Sequence, residues 1–320
     1  MILWEKVMMN KQAIIALCNE INKKEGAGSI YTIGSANSNL KINRWSTGIE
    51  DLDAIIGGGM PEGRVIEIFG PESSGKTTLL YHFMGLHPLA LDIPVEGTFD
   101  AQRAKVFGNK KKQLLVYRAS FGEDALNKTI KFAKAGIPII GIDSVPSLIP
   151  REDAEKVLKS ADRDSIEEQR IGGTARLLNK YLPSIEEIIE NTGTTVIFIN
   201  QVRDKMGALM FGEKTDTPGG HKLKHSASLR IQVARRAWIE IPNKNPKNSA
   251  ANEKVGLIMK CKVVKSKVCN PMGECEIPLF FDRGFVSFDD VKDIRRELMK
   301  QRAEMYGRRI RDISLDDDDE

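Results

Sequence analysis

Residues 65–78 read Val-Ile-Glu-Ile-Phe-Gly-Pro-Glu-Ser-Ser-Gly-Lys-Thr-Thr, and this stretch decides the fold. Its second part fits the G-x-x-x-x-G-K-[ST] pattern of a nucleotide-binding phosphate loop (P-loop), placed between an apolar strand pattern and a helical pattern. The glycines let backbone N–H groups approach phosphate oxygens, and the helix N-terminus adds partial positive charge. Because strand, spacing and the Lys-Thr pair occur together, a chance glycine-rich turn is the weaker explanation. The sequence therefore predicts an α/β protein with a P-loop.

The residues of this loop predict binding of ATP and Mg²⁺. Lys76 is expected on the β and γ phosphates, and Thr77 is expected to give its hydroxyl to Mg²⁺. A second metal-orienting carboxylate is Asp143, which ends the apolar run 137–142 as in a Walker B strand. Aspartate at a strand end more often caps a turn, but the P-loop favours the metal role. The predicted nucleotide-binding residues of the loop are Gly70, Pro71, Glu72, Ser73, Ser74, Gly75, Lys76, Thr77 and Thr78.

Alternating strand and helix patterns from about residue 46 to 281 predict a mainly parallel twisted sheet flanked by helices. Near-continuous apolar runs, typical of strands covered on both faces, lie at 65–69, 114–117, 137–142, 195–200, 229–234 and 255–264. Before them, a helical pattern at 11–24 and a strand pattern at 29–33 predict a small N-terminal unit. After them, 291–311 is predicted as a basic helix, followed by an acidic, disordered tail. The predicted domains are 1–44 (a helix-strand unit that must pack on the core or on a neighbouring subunit, and a linker), 45–285 (the P-loop core) and 286–320 (the basic helical segment and acidic tail).

The composition is that of a globular protein, with 320 residues, 41% hydrophobic and 29% charged. There is no apolar run long enough to span a bilayer, and the four cysteines form no CxxC pair, so a membrane protein, a disulfide scaffold and a zinc module are disfavoured. A reducing, cytoplasmic location is expected. The net charge of +4 combines two parts, because residues 312–320 hold six acidic and no basic side chains, which leaves +10 on the rest. A basic body is consistent with a nucleic-acid partner.

Further motifs resemble those of the RecA recombinase family, from bacteria and phages, in order and spacing over roughly residues 10–285. Besides the P-loop, they are Trp-Ser-Thr-Gly at 45–48, Gly-Gly-Met-Pro-Glu-Gly-Arg at 58–64, Ile-Asp-Ser-Val at 142–145, Phe-Ile-Asn-Gln-Val-Arg at 198–203, Met-Phe-Gly at 210–212, Gly-Gly at 219–220 and Lys-Val-Val-Lys-Ser-Lys at 262–267. The resemblance implies a RecA-type ATPase core and a DNA-dependent ATPase. Such a protein forms a helical filament on single-stranded DNA and exchanges strands with a homologous duplex in recombination and repair. Implied partners are both forms of DNA, further copies of the chain, a single-strand-binding protein and a loader.

The resemblance also implies the catalytic residues. Glu96 falls where the family keeps the carboxylate that activates the attacking water, and a glutamate ending the strand beside the P-loop strand would reach such a water. Gln201 matches the γ-phosphate sensor at the end of a central strand. Lys265 and Lys267 correspond to the lysines that reach the γ-phosphate from an adjacent subunit, although two alternate lysines by themselves favour a solvated strand face.

At the base end of the nucleotide, Asp100 is retained as an acceptor for the adenine amino group. Arg103 stands where the family usually has a tyrosine, and a guanidinium can also stack on a base.

The DNA-contacting residues are implied in the same way. Residues 202–220 match the second DNA-contacting loop of the family, in which basic groups meet phosphates and apolar groups wedge between bases. The first DNA loop, between residues 147 and 172, is longer and more charged than in the family. The implied DNA-binding residues are Arg176, Arg203, Lys205, Met206, Phe211, Gly219 and Gly220.

Two other functions remain open from the sequence. One is a hexameric helicase or annealing motor of the same fold, which would form rings; the lysine pair favours the filament. The other is a scaffold that coats single-stranded DNA and uses ATP mainly as an assembly switch, which the presence of Glu96 disfavours.

Overall fold

The structure is a computed structural model. The structure describes residues 2–26, 30, 42–97, 99–107, 113–159, 166–204, 215–243 and 252–305. Contacts divide it into two units, Met1–Asn43 and Arg44–Glu320. The three-part domain organisation expected from sequence stays a prediction.

The first unit contains the helix α1 (Ile2–Glu25), which begins earlier than the predicted 11–24. It ends at Gly26, whose φ of 109° lies in the left-handed region where glycine is unstrained. Near the end of the helix, the Asn22 side chain donates to the carbonyl of Ile30 at 2.7 Å and accepts from its N–H at 2.9 Å. The predicted strand at 29–33 lies outside the described residues apart from Ile30.

The second unit is an α/β structure. Its helices are α2 (Glu50–Ile55), α3 (Lys76–Gly85), α4 (Ala101–Phe107), α5 (Gly122–Lys134), α6 (Arg151–Lys159), α7 (Ile166–Thr192), α8 (Gly220–Ser226) and α9 (Phe288–Met305), with a 3₁₀ turn at Val145–Ser147. Its strands are β1 (Arg44–Trp45), β2 (Met60–Pro61), β3 (Val65–Gly70), β4 (Leu89–Pro94), β5 (Gln113–Val116), β6 (Ile139–Asp143), β7 (Thr195–Gln201), β8 (Arg203–Asp204), β9 (Thr215–Asp216), β10 (Leu229–Ile241), β11 (Glu253–Ser266), β12 (Glu274–Phe280) and β13 (Gly284–Phe285).

The main sheet runs in the order β13-β12-β11-β10-β3-β7-β6-β4-β5. The strands from β10 to β5 in this order pair in parallel, whereas β11, β12 and β13 continue the sheet in antiparallel pairs. The predicted mainly parallel sheet flanked by helices is confirmed. Parallel strands bring their carboxyl ends to one edge, so the ends of β3, β4, β6 and β7 meet there.

One detail of the sequence interpretation is wrong. The strand that leads to Glu96 is β4, and β7 and β6 lie between it and the P-loop strand β3. In a doubly wound sheet, consecutive strands along the chain need not be neighbours, because a crossover helix can carry the chain past positions that later strands fill. Glu96 nevertheless reaches the same sheet edge.

The two faces of the sheet bury separate apolar clusters. Ile66 and Ile68 of β3 face one side with α3, whereas Val65 faces the other side together with residues of α5 and α7. Burial of each large side chain in these clusters, such as Phe198, stabilises the fold by about 1.5–3 kcal/mol. Because both faces of the sheet are packed against helices, the carboxyl ends of the strands are held in fixed relative positions.

Strands β10 and β11 are longer than predicted. β10 continues beyond its pairing with β3 as a hairpin with β11, which in turn pairs with β12. The extra part of β10 begins with three exposed residues and then alternates in burial, and its buried Ile239 and Ile241 pack in a third cluster with Leu298 of α9. Arg302 of α9 donates from Nε and Nη2 to the carboxylate of Glu253, with distances between 2.7 and 3.1 Å. Helix α9 covers the predicted helix from 291 as far as residue 305, and the acidic tail lies outside the described residues. Among the helices of the described chain, none is long and apolar enough to cross a membrane.

Candidate functional site

The P-loop connects the end of β3 to the start of α3. Gly75, the residue before the helix, has a φ of 89°, which side chains rarely adopt. A Cβ built on Gly75 would lie 2.4 Å from Cε of Met259 in β11. The backbone conformation therefore favours glycine at this position, and a side chain there would also displace the end of Met259.

Lys76 is folded back over the loop. Its side chain is largely buried, and Nζ donates to the carbonyl oxygens of Gly70 at 3.0 Å and Pro71 at 2.7 Å. Burial lowers the pKa of Lys76, although the charges of Asp143, Glu96 and Glu72 oppose the shift. An ammonium group has three donors, so a third N–H is free for a phosphate oxygen.

Thr77 and Asp143 join the P-loop to the end of β6. The Thr77 hydroxyl donates to Oδ2 of Asp143 at 2.6 Å. Burial raises the pKa of Asp143 to about 6, and the charge of Glu96 adds to the rise, whereas Thr77 and Lys76 oppose it. A hydroxyl beside a carboxylate is the oxygen donor set that Mg²⁺ takes when phosphates supply further ligands, so these residues fit that ion.

Glu96 follows β4 and lies at the same edge. Its backbone N–H donates to the carbonyl of Asp143 at 3.3 Å, and its Oε1 accepts a short hydrogen bond from the Ser144 hydroxyl. The side-chain amide of Gln201, the last residue of β7, donates to the same Oε1 at 3.3 Å. Three strands thus bring the predicted base, the predicted sensor and the predicted metal ligand together.

Two cavities flank these residues. One has about 330 Å³ and is lined by residues 73–78, by Arg103, and by an apolar wall of Trp238, Leu257, Leu279 and Phe281. The other has about 240 Å³ and is lined by Thr77, Tyr81, Pro94, Glu96, Asp100, Arg103 and Asp143. Thr77 and Arg103 line both, so the cavities are neighbouring parts of one region that a nucleotide can fill.

Asp100 has a structural role beside its predicted one. Its Oδ1 accepts the backbone N–H groups of Gln102 at 2.9 Å and Arg103 at 3.0 Å, which caps helix α4. The cap fixes the start of the helix and with it the position of the Arg103 backbone at the cavity wall.

A buried polar network connects the sensor strand to the predicted second DNA loop. Asn200 donates from Nδ2 to Oε1 of Glu67 at 2.8 Å and to the carbonyl of Pro218 at 2.8 Å. Arg230 donates from Nε to Oε2 of Glu67 at 2.5 Å and from Nη2 to the Thr217 hydroxyl at 3.3 Å. The end of residues 202–220 is therefore anchored to the residue that precedes Gln201.

The predicted DNA-binding residues lie in different settings. Gly219 (φ 98°) and Gly220 (φ 71°) form the turn into α8, where a Cβ on Gly219 would lie 2.9 Å from Cδ1 of Leu178. Arg176 is exposed on α7, and Arg203 belongs to β8. Lys205, Met206 and Phe211 lie outside the described residues.

Lys265 and Lys267 are held at the end of β11. Nζ of Lys265 donates to the carbonyl oxygens of Lys224 at 2.5 Å and His225 at 2.9 Å in α8. Burial lowers the pKa of Lys265 to about 8, and the charges of Lys267 and Arg230 contribute. The backbone of Lys267 donates to Ser228 at 2.8 Å. In the described part of the chain, neither lysine is among the residues lining the two cavities of this subunit.

The comparisons with known proteins agree with this geometry. The family model described as the RecA N-terminal domain matches residues 12–286. The chain belongs to the RecA family. It is 35% identical over 288 residues to "DNA repair protein recA homolog 1, chloroplastic" of Arabidopsis thaliana, covering 88% of this chain and 62% of that protein.

Bacterial members of the RecA family match to a similar degree. The chain is 34% identical over 293 residues to "Protein RecA" of Chlamydia trachomatis, with 90% of this chain and 78% of that protein covered. It is 35% identical over 294 residues to "Protein RecA" of Oceanobacillus iheyensis, with 90% and 79% covered. The family assignment made from the motifs is confirmed.

Several residues of this RecA-family chain line or support the site but belong to no recognisable sequence motif, so the sequence interpretation did not include them. Trp238 and Phe281 form part of the cavity wall, and Tyr81 lines the second cavity. Glu67 is fully buried at the centre of the network that reaches Asn200. A charged residue in the middle of the apolar run 65–69 is the sequence signal that would have drawn attention to Glu67.

Proposed function

We propose that this RecA-family chain is an ATP-dependent DNA recombinase. It forms a helical filament on single-stranded DNA, hydrolyses ATP, and pairs the bound strand with a homologous duplex to exchange strands in recombination and repair. Family membership and the arrangement of the carboxyl edge support the proposal. Its location is the cytoplasm, and its partners are both forms of DNA and further copies of the chain.

ATP occupies the region along the P-loop. Residues 70–78 hold the phosphates, with the remaining Lys76 donor on the β and γ phosphates, and Arg103 and Asp100 contact the base end. Thr77 and Asp143 are the residues that would hold Mg²⁺, which when bound neutralises phosphate charge.

Glu96 accepts a proton from the water that attacks the γ-phosphate. The observation that carries the proposal is the contact between Glu96 and Gln201, which lie 3.3 Å apart between Oε1 and Nε2. Ser144 holds the same carboxylate oxygen, so the base is oriented by two donors. Because Gln201 leads directly into residues 202–220, a change at the γ-phosphate would be passed to the DNA-contacting loop.

DNA contacts the predicted set Arg176, Arg203, Lys205, Met206, Phe211, Gly219 and Gly220. Lys265 and Lys267 reach the γ-phosphate of a neighbouring subunit, which makes hydrolysis depend on filament assembly in the manner of an arginine finger. For Lys265 this requires release from the two carbonyl oxygens of α8.

The test compares ATP turnover with and without single-stranded DNA, together with strand exchange, for the wild type and Glu96→Gln. We expect DNA to stimulate the wild type, and Glu96→Gln to lower stimulated turnover by about 100-fold or more, as for loss of a general base. Glu187→Gln, the same change at an exposed position of α7, is the matched control and should behave as the wild type.

Each failure has a distinct meaning. Wild-type turnover that does not respond to single-stranded DNA would overturn the recombinase proposal. Full activity of Glu96→Gln would overturn only the role of Glu96. Rings instead of helical filaments in electron micrographs would favour the hexameric motor.

A further inference from the structure

Two cysteines lie side by side on neighbouring antiparallel strands. Cys261 of β11 and Cys275 of β12 are directly opposed in the strand register. The neighbouring Cys275 thiol, together with burial, raises the pKa of Cys261. Cys261 is 0% exposed, whereas Cys275 is partly exposed at the border of the same apolar cluster. Cys275 is therefore the more accessible residue of the pair, and Cys261 lies beside it on the buried side of the cluster.

The strand geometry allows a covalent bond between them. The N–H of Val263 donates to the carbonyl of Gly273, and the N–H of Phe281 donates to the carbonyl of Val255. Because alternate residues form the hydrogen bonds of an antiparallel ladder, Cys261 also belongs to a hydrogen-bonded pair, in which the Cα atoms lie about 5.5 Å apart. This Cα separation is within the range that disulfides span. Opposed Cβ atoms in a sheet lie about 4.5–5.5 Å apart, whereas a disulfide needs about 3.5–4.5 Å, so the bond requires β11 and β12 to approach each other slightly at this pair.

We propose that Cys261 and Cys275 are a redox-modification site that forms a reversible intrachain disulfide by exchange with a low-molecular-weight disulfide such as oxidised glutathione. The Cys275 thiolate attacks one sulfur of the oxidant, which forms a mixed disulfide and releases one thiolate. Cys261 then attacks Sγ of Cys275 and releases the second thiolate, which takes up the proton of the Cys261 thiol as it leaves. Both cysteines are oxidised, and the small disulfide is reduced to two thiols.

The position of the pair links it to the proposed nucleotide site, and this consequence rests on the proposed function. Met259, two residues before Cys261 on the same face of β11, packs against Gly75 of the P-loop. Leu279 of β12 is the next neighbour, 3.5 Å from a Cβ built at Gly75. A disulfide that draws β11 and β12 together at Cys261 and Cys275 would move Met259 and Leu279. Because the core is close-packed, their movement would displace the P-loop at Gly75.

The main test is a thiol map of the full-length protein. The protein is equilibrated with reduced and oxidised glutathione, acid-quenched, alkylated and digested without reduction. We expect a Cys261–Cys275 cross-linked peptide that rises from about one-tenth to nine-tenths over about a 100-fold change in the ratio of squared reduced to oxidised glutathione, as for a two-electron couple. Cys18 and Cys269 are internal controls and should appear in no cross-linked peptide.

Two variants distinguish Cys275, in β12, from Cys269, which lies in the turn before it. Cys269→Ser should keep the cross-link, and Cys275→Ser should abolish it. A mixed glutathione disulfide at Cys275 that never resolves, a Cys261–Cys269 bond, or unmodified thiols at the most oxidising ratio would each overturn the proposal. The wild-type map needs no variant, so a folding defect does not affect this result.

A second measurement tests whether the disulfide weakens nucleotide binding. Oxidised wild type should bind a fluorescent ATP analogue more weakly than reduced protein, by about threefold or more. The reason is that Met259 and Leu279 pack closely against the P-loop, so a shift of these side chains displaces the loop. Dithiothreitol should restore the affinity, and Cys275→Ser should not respond. A disulfide without any change in affinity would leave the modification site standing and overturn the link to the P-loop. Absence of nucleotide binding in reduced protein would instead count against the proposed function.

Discussion

The side-chain amide of Asn200 lies 2.8 Å from the carboxylate of Glu67, and both residues are completely buried in the sheet. The same amide nitrogen donates to Pro218, and the Asn200 Oδ1 accepts the backbone N–H of Gln201 at 2.9 Å. One side chain therefore connects the core carboxylate, the predicted sensor and the end of the predicted DNA loop. A buried network of this kind fixes one arrangement of the groups, because each unpaired partner would cost free energy.

Removal of Arg230 should destabilise the protein strongly. Arg230→Ala leaves the carboxylate of Glu67 buried without its cation, and breaking a buried ion pair costs about 3–5 kcal/mol. Arg236→Ala is the control, because its pair with Glu276 is exposed, 3.5 Å long, and worth at most about 1 kcal/mol. The measurement is the free energy of unfolding in guanidinium chloride.

A double variant separates the charge from the packing in this prediction. Glu67→Gln with Arg230→Met removes both charges and should recover part of the loss seen in Arg230→Ala. A double variant that is less stable than Arg230→Ala would show that the carboxylate was not the destabilising group.

The Thr77 hydroxyl should be required for turnover. Thr77→Val keeps the shape but removes the hydrogen bond to Asp143, and hydrogen bonds to charged groups contribute about 1.5–3 kcal/mol, or about 10- to 150-fold in rate. Thr77→Ser keeps the hydroxyl and should remain within about threefold of the wild type. The assay is ATP turnover over a Mg²⁺ titration, and equal rates for both variants would contradict the metal role of Thr77.

Asp92 should make stability depend on pH. Its carboxylate is completely buried, and the Tyr81 side chain and the Ile93 backbone are the polar groups that face it. Burial, followed by the charge of Asp143, raises the pKa of Asp92 from 3.8 to about 7. As the pH rises, Asp92 loses its proton at a lower pH in the unfolded state than in the folded state. The free energy of unfolding is therefore not reduced by Asp92 below about pH 4, falls as the pH rises, and reaches its lowest contribution near pH 7.

Asp92→Asn removes this penalty. The variant should exceed the wild type in free energy of unfolding by up to about 4 kcal/mol at about pH 8 and by less than about 2 kcal/mol at about pH 5. Denaturant unfolding at the two pH values measures both differences. An equal difference at both values would contradict the assignment.

Gly219 should tolerate no side chain. In Gly219→Ala the left-handed conformation costs about 1–2 kcal/mol, and the contacts with Leu178 and Val145, at 2.9 and 3.0 Å, add about 1–3 kcal/mol of overpacking. Gly136→Ala is the control, because its φ of 78° is also positive but a Cβ there meets nothing within 4 Å. Equal losses of unfolding free energy for both variants would show that packing at Gly219 does not matter.

Local patterns in the sequence were sufficient for the P-loop, the central strands and the family. The segment 65–78 combines an apolar strand, glycines at fixed spacing and a Lys-Thr pair, and each of these acts on its immediate neighbours in the chain. Asp143 could be located because it ends an apolar run, and Gln201 because it matches a family motif at the end of another. The position of Glu96 relative to β3 could not be obtained in this way, because strand order depends on how crossovers pack, and the prediction of adjacent strands was wrong.

The sequence by itself determined the α/β class, the phosphate loop and the residue types needed for ATP chemistry, since short-range backbone conformation and hydrophobic periodicity encode them. Only the tertiary structure decided which distant residues meet. It brought Glu96 to Gln201, Glu67 to Asn200 and Arg230, and Cys261 to Cys275. These contacts join residues from different strands of one sheet. Strand order and register depend on the total apolar surface buried on both faces of the sheet. Each segment contributes only a part of that burial, so its own sequence does not reveal which strands it pairs with.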